Sequence, residues 1–168
     1  MVINIELFSI PGAGGIIEKE IDGEKNILTQ IRIKPHASYE NGLIEIPAGK
    51  IRAFESIFDT LKREIKEETG LDVINILGES LSTIYEENSY KVINFMPFSC
   101  SQNLIGSYPI MVFVFICQVE GELLPFSDES NNYRWTPVSE LKRILKDAPE
   151  SLYPMHVDTL RKYIHVCG

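Results

Sequence analysis

Phe54, Ile57, Phe58, Leu61 and Ile65 recur at helical spacing and predict a helix over residues 54–69. Gly70 follows, at the position where a left-handed residue commonly ends a helix. Residues 110–119 form a continuous apolar run rich in Val, Ile and Phe, the pattern of a strand buried on both faces. Shorter strands are expected over residues 2–9, at 27–33 through Ile27, Leu28, Ile31 and Ile33, and at Leu43, Ile44 and Ile46, where Pro47 stops the run. Residues 73–77, 81–85 and 91–95 read as strands too. The run from Pro11 through Gly15 reads as a turn, because no P-loop lysine and serine follow its glycines. Residues 97–109 read as a polar loop carrying Ser99, Ser101, Gln102, Asn103 and Ser107. Thr136 followed by Pro137 reads as an N-cap with proline at the first helical position, opening a helix through Leu145. A last helix over 152–164 would turn Tyr153, Val157, Leu160 and Ile164 inward. Strands and helices intermix without regular βαβ repeats, so the expected class is α/β, a mixed sheet between helices.

The 168 residues are 44% apolar, enough for one folded domain over residues 1–168. Charge narrows the partners. Sixteen basic against 24 acidic residues leave −8, which disfavours long nucleic acid and anionic membranes. A phosphate-bearing ligand would need a metal ion or a local basic patch. Cys100, Cys117 and Cys167 have no metal-binding spacing and form no even disulfide set, consistent with reduced thiols in a cytoplasm. The N-terminus lacks signal-peptide features, and the longest apolar run, 110–117, is far short of the roughly 18 residues that span a bilayer.

The chemistry concentrates in residues 49–71. Glu64, Glu67 and Glu68 stand at i, i+3 and i+4, so they share one helix face. That face overlaps the border of the apolar stripe, where crowded carboxylates repel and resist burial. A cation would resolve the conflict, and an all-oxygen set without His or Cys favours Mg²⁺ or Mn²⁺ over zinc. The alternative is a solvated charged face, with Lys62, Arg63 and Lys66 making ordinary surface pairs.

The same stretch resembles the Nudix box, GX5EX7REUXEEXGU, where U is a bulky aliphatic residue. Gly49, Glu55, Arg63, Glu64, Ile65, Glu67, Glu68, Gly70 and Leu71 match all nine specified positions. A chance match is on the order of 10⁻⁷ at average residue frequencies. The resemblance implies an α/β/α sandwich and a divalent-metal hydrolase, with Mg²⁺ or Mn²⁺, that cleaves a nucleoside diphosphate linked to another moiety. It implies Glu64, Glu67 and Glu68 as metal ligands, joined by the backbone carbonyl of Ala48, with Glu64 also a candidate base. Glu55 and Arg63 look like a structural pair, and Lys50 is a phosphate contact or a solvated lysine. Family members often carry a further carboxylate before a C-terminal tryptophan. Here Glu129, or else Asp128, precedes Trp135 as an additional metal ligand or base. The implied mechanism is in-line attack of water on phosphorus, with charge neutralised by metal and a proton taken by a carboxylate.

His36, His156 and His165 read as structural or surface residues. Phe126, Tyr133 and Trp135, like Tyr85, Tyr90 and Phe98, read as packing or as a platform for a base. Subfamily marks conflict. Residues 47–51 resemble the ADP-ribose pyrophosphatases, but the proline those enzymes carry past the box is absent. A nucleotide sugar, an ADP-ribose-like compound or a nucleoside triphosphate all fit, and so does a homodimer. A Nudix-fold sensor without turnover is the alternative, although such domains usually lose box glutamates.

Overall fold

The computed structural model describes residues 6–33, 39–106, 108–125 and 130–167. Strands β1 (Ile10–Ile21) and β2 (Glu24–Arg32) are joined by a tight turn whose two central residues, Asp22 and Gly23, have φ of 52° and 78°. That pair of positive angles matches the right-handed twist of the flanking strands. Then follow β3 (Ile44–Glu45), β4 (Ala48–Lys50), α1 (Ile57–Thr69) and β5 (Asp72–Ile76). A 3₁₀ turn (Glu79–Leu81) leads to the hairpin of β6 (Thr83–Glu87) and β7 (Tyr90–Asn94). The chain continues through β8 (Ser99–Gln102), β9 (Ile110–Glu120), β10 (Ser130–Pro137), α2 (Val138–Asp147) and α3 (Pro154–Cys167).

The main sheet runs β10-β2-β1-β9-β5, with β3 added to β2, β4 to β1 and β8 to β9. Among the described strands, β1 and β9 run parallel and the other paired strands antiparallel. Side-chain alternation along β9 builds two cores. Val112, Val114 and Ile116 join Ile16, Leu141, Leu160 and Tyr163 under α2 and α3. Phe113, Phe115 and Cys117 join Ile17, Leu61 and Ile65 under α1. The sheet therefore lies between helices, as an α/β/α sandwich.

Several boundaries differ from the sequence expectation, each for a steric or hydrogen-bonding reason. The glycine run after Pro11 is not a turn; it lies inside β1. A Cβ on Gly12 would stand 2.9 Å from the Gly49 carbonyl oxygen, and one on Gly15 would stand 2.8 Å from Ile65 Cδ1. The glycines let β4 and α1 approach the strand. Helix α1 starts at Ile57 rather than at 54, because Ser56 caps it by accepting from the Asp59 N–H at 3.1 Å. Phe54 is exposed, with φ of 64°. Thr136 caps nothing. It remains in β10 and shares a hydrogen bond of 2.7 Å with Thr29 on β2. Residues 97–109 contain β8, paired to β9, and Thr159 of α3 donates to Ser99 Oγ at 3.0 Å. Residues 81–85 divide between the 3₁₀ turn and β6, and residues 6–9 form no strand. The rest of the predicted N-terminal strand lies outside the described residues, as do His36, Ser107, Phe126, Asp128 and Glu129.

Gly12→Ala tests the close approach. The carbonyl opposite is backbone and cannot swing aside, so the variant is expected to lose about 1–3 kcal/mol, the usual scale of overpacking. Urea denaturation should show a lower midpoint with an unchanged slope.

Candidate active site

Arg63, on the second turn of α1, gathers the acids of the box. Its Nε and Nη2 donate to the two oxygens of Glu55 at 2.6 and 2.8 Å, a bidentate pair. Its Nη1 donates to Glu64 Oε1 at 2.6 Å and to Glu67 Oε2 at 3.1 Å. Nη2 also reaches the Lys50 carbonyl at 3.2 Å, tying α1 to β4. Glu55 further accepts from Thr60 Oγ1 at 2.8 Å and from the Arg52 N–H at 3.2 Å. The hydrogen bonds from Arg63, aided by these two, hold the Glu55 carboxyl down at about 2 against the opposing effect of burial. The bonds to Glu55 likewise raise the Arg63 pKa.

Gly49 is placed by the same crowding. A Cβ there would lie 1.9 Å from Glu64 Cδ, so the carboxylate rests directly on the glycine backbone. Glu68 turns the other way. It is 7% exposed, and its Oε2 accepts from Gln30 Nε2 at 3.1 Å and from the Ala48 N–H at 3.2 Å. Tyr133 donates its hydroxyl to the Glu68 carbonyl. Lys50 is exposed, with its ammonium 5.5 Å from the centre of the Tyr108 ring.

A second set of charges lies behind Glu68, and the sequence reading missed it. Gln30 Nε2 also contacts Glu45 Oε1 at 3.4 Å. Glu45 Oε2 accepts from Arg32 Nη1 at 2.8 Å, and Glu40 accepts from Arg32 Nε at 2.8 Å. The Arg32 guanidinium stacks 4.2 Å from the Tyr153 ring. Burial pulls the Arg32 pKa down, but Glu45, Tyr153 and Glu40 together outweigh it and the net shift is upward. The available signal was a charged side chain inside an apolar strand: Arg32 between Ile31 and Ile33, Glu45 between Ile44 and Ile46.

The structure thus brings Glu55, Arg63, Glu64 and Glu67 into one connected group, and joins Glu68 to Ala48 on its inner side. As they lie, no three His, Cys, Asp or Glu side chains among the described residues close on one ion position. Glu64 and Glu67 nevertheless reach one cationic point, Arg63 Nη1. The donor set consists of carboxylate oxygens beside a backbone peptide, the chemistry that suits Mg²⁺ or Mn²⁺. By donor chemistry the residues present fit such an ion. The other aromatic candidates divide. Tyr85 and Tyr90 are exposed on the β6–β7 hairpin. Phe98, Tyr133 and Trp135 pack against the cores. Asn103 is engaged in its own turn, donating to the Tyr108 carbonyl at 2.9 Å and accepting from the Ile105 N–H at 3.3 Å. Ser99 and Ser101 face Thr159.

A sandwich with a glutamate-rich loop and helix laid against a mixed sheet defines the class. The chain matches the NUDIX domain over residues 11–156, and it belongs to that family. It is 36% identical over 59 residues to an 8-oxo-dGTP diphosphatase of Buchnera aphidicola subsp. Acyrthosiphon pisum (strain APS), covering 34% of this chain and 48% of that protein. The chain therefore spans about half the length of the curated relative it matches. Solved structures share the fold. The MutT protein of Methanosarcina mazei Go1 superposes with a TM-score of 0.65 at 19% identity, covering 96% of this chain and 97% of that one. The NUDIX domain of Shewanella oneidensis NrtR, solved with ADP ribose, gives 0.66 at 12% identity, covering 95% and 89%. The E. coli ORF135 protein gives 0.63 at 22% identity, covering 94% and 90%. No helix among the described residues is long and apolar enough to cross a membrane.

Arg63→Ala tests the geometry. It leaves Glu55 without its charged partner at a partly buried position, so the melting temperature should fall, by no more than the lower end of the roughly 3–5 kcal/mol for breaking a buried pair. The pH dependence has a definite sign. Glu55 has a depressed folded-state pKa, so its stabilisation is present above the ordinary value of 4.5 and is lost as pH falls from there toward about 2. Acid titrations of stability should show that loss in the wild type and a smaller one in Arg63→Ala.

Proposed function

We propose that this chain is a metal-dependent Nudix pyrophosphohydrolase. Its substrate is a nucleoside diphosphate linked to another moiety: a nucleotide sugar, an ADP-ribose-like compound or a nucleoside triphosphate. The observation that carries this reading is the convergence of Glu64 and Glu67 on one cationic point, beside the Ala48 peptide that Glu68 grips. The 8-oxo-dGTP diphosphatase relative supports a nucleotide pyrophosphate as the bond broken. In this reading residues 1–168 are one Nudix unit, working in the cytoplasm on a small nucleotide, without long nucleic acid or membrane, as a monomer or a homodimer.

Glu64, Glu67 and Glu68 would hold Mg²⁺ or Mn²⁺ together with the Ala48 carbonyl. When bound, the ion offsets the negative charge that shields phosphorus from a nucleophile. Glu55 and Arg63 keep the loop and helix in register. Lys50, exposed at the end of β4, adds positive charge for a phosphate oxygen. A carboxylate, Glu129 or Glu64, takes a proton from water. The oxygen then attacks phosphorus in line, and the P–O bond to the leaving phosphate breaks. Asp128 is the alternative to Glu129.

Glu67 best separates chemistry from folding, because its side chain is 52% exposed. Glu67→Gln is expected to lower Mg²⁺-dependent hydrolysis of a nucleotide panel by at least about a hundredfold, given the several kcal/mol a catalytic metal supplies. Its melting temperature should stay at the wild-type value. Wild-type turnover in this variant would remove the enzyme reading. Glu129→Gln should lower kcat with KM little changed, as for a group acting mainly in the transition state. A silent Glu129→Gln with an inactive Asp128→Asn would move the base to Asp128.

A further inference from the structure

His156 lies in the first turn of α3 and is 1% exposed. Its Nδ1 accepts a hydrogen bond from the Ile46 backbone N–H at 3.3 Å. A ring nitrogen that accepts carries no proton, so the imidazole proton sits on Nε2. Nε2 is buried and has no hydrogen-bond partner among the described residues. A buried donor left unpaired is costly. A leucine would avoid that cost, but it would orphan the Ile46 N–H instead. The value of the histidine at this position is its acceptor.

The surroundings show what that acceptor controls. Tyr153 N donates to the Ile44 carbonyl at 2.8 Å, and Ile44 forms a parallel bridge with Leu152. The Tyr153 ring meets His156 edge-on at 5.2 Å. The lead into α3 is therefore laced to residues 44–46. Between positions 46 and 48 the backbone offers only two N–H groups, because Pro47 has none. One goes to His156 and the other to Glu68 Oε2. On the next side, the Pro47 carbonyl accepts from the Gly15 N–H at 2.9 Å. The segment 46–48 is thus held at the Ile46 N–H by a histidine of α3, and at the Pro47–Ala48 peptide by a glutamate of α1 and the backbone of β1.

We propose that His156 is a positioning residue for the Nudix reaction: acting through the Ile46 N–H, its Nδ1 sets the orientation of the Ala48 peptide at the metal-binding edge of the site. The role rests on the reading of Ala48 and Glu68 given under Proposed function.

Two variants separate this role from simple packing. His156→Leu keeps bulk and removes the acceptor. His156→Asn places Oδ1 where Nδ1 stands relative to Cγ and keeps the acceptor. Three readouts are followed: amide exchange of Ile46, Mn²⁺ affinity of the protein without nucleotide, and steady-state kinetics with the nucleotide the wild type hydrolyses. In His156→Leu the Ile46 amide should exchange faster. Mn²⁺ affinity and kcat should each fall about tenfold, the scale at which partners that orient a ligand act, while KM stays within about twofold. His156→Asn should recover most of both losses. Wild-type Mn²⁺ affinity in His156→Leu despite faster Ile46 exchange overturns the proposal, as does His156→Asn behaving like His156→Leu. If His156→Leu does not fold, the wild-type imidazole ¹⁵N shifts decide together with His156→Asn. A protonated Nδ1, or a tenfold loss in His156→Asn, overturns the role; an unprotonated Nδ1 with retained affinity supports it. Failure of the underlying reading looks different: the wild type itself would bind no Mn²⁺, or Glu67→Gln would bind it as tightly, and the role of His156 would go with it.

Discussion

One guanidinium holds the acidic face of this protein together. Glu55, Glu64 and Glu67 all reach Arg63, and in a chain with net charge −8 three carboxylates at such spacing would repel without it. The planar fork of arginine suits this position because it grips both oxygens of Glu55, shares a third nitrogen with two further acids, and still reaches the Lys50 carbonyl. A lysine would offer the charge but not this geometry. That one side chain ties α1 to β4 and holds Glu64 and Glu67 of the helix.

Steric closeness is the second constraint. Gly49 lies under the Glu64 carboxylate, Gly12 under the Gly49 carbonyl, and Gly15 under Ile65. These contacts stack β1, β4 and α1 so tightly that a Cβ on any of the three glycines would meet its neighbour within 3 Å. The result is a rigid seat for the loop before the helix, on which the proposed chemistry depends, because misplacement of a reacting group by even 1 Å is costly.

Behind that seat runs a buried polar layer. Glu68, Gln30, Glu45, Arg32 and Glu40 are linked in sequence by hydrogen bonds, with Tyr153 stacked on the arginine. Buried ionic groups of this kind contribute little net stability, because desolvation offsets their attraction. Their effect here is geometric. They fix which way the Glu68 carboxylate points, and His156 fixes the strand segment that Glu68 holds from the other side. The acidic helix face and the polar layer meet at Ala48.

The sequence by itself determined the elements whose information is local. The stripe of α1 and the apolar run of β9 were legible because burial repeats at the period of the backbone. The box was legible because its nine residues lie within positions 49–71 and act on neighbours along one loop and helix. The family assignment followed from that spacing and agrees with the match over residues 11–156. Tertiary structure alone decided what depends on distant chain. The glycines after Pro11 read as a turn, since the strand and helix that require their missing side chains are not adjacent in sequence. Residues 97–109 read as a loop because the pairing that makes β8 a strand comes from β9. His156 read as a structural or surface histidine, and its partner, Ile46, is 110 positions away. Gln30 meets Glu68 across 38 positions. Periodicity and spacing report what a residue does to its own helix or strand; a hydrogen bond or a close contact between elements exists only once the sheet has brought them together.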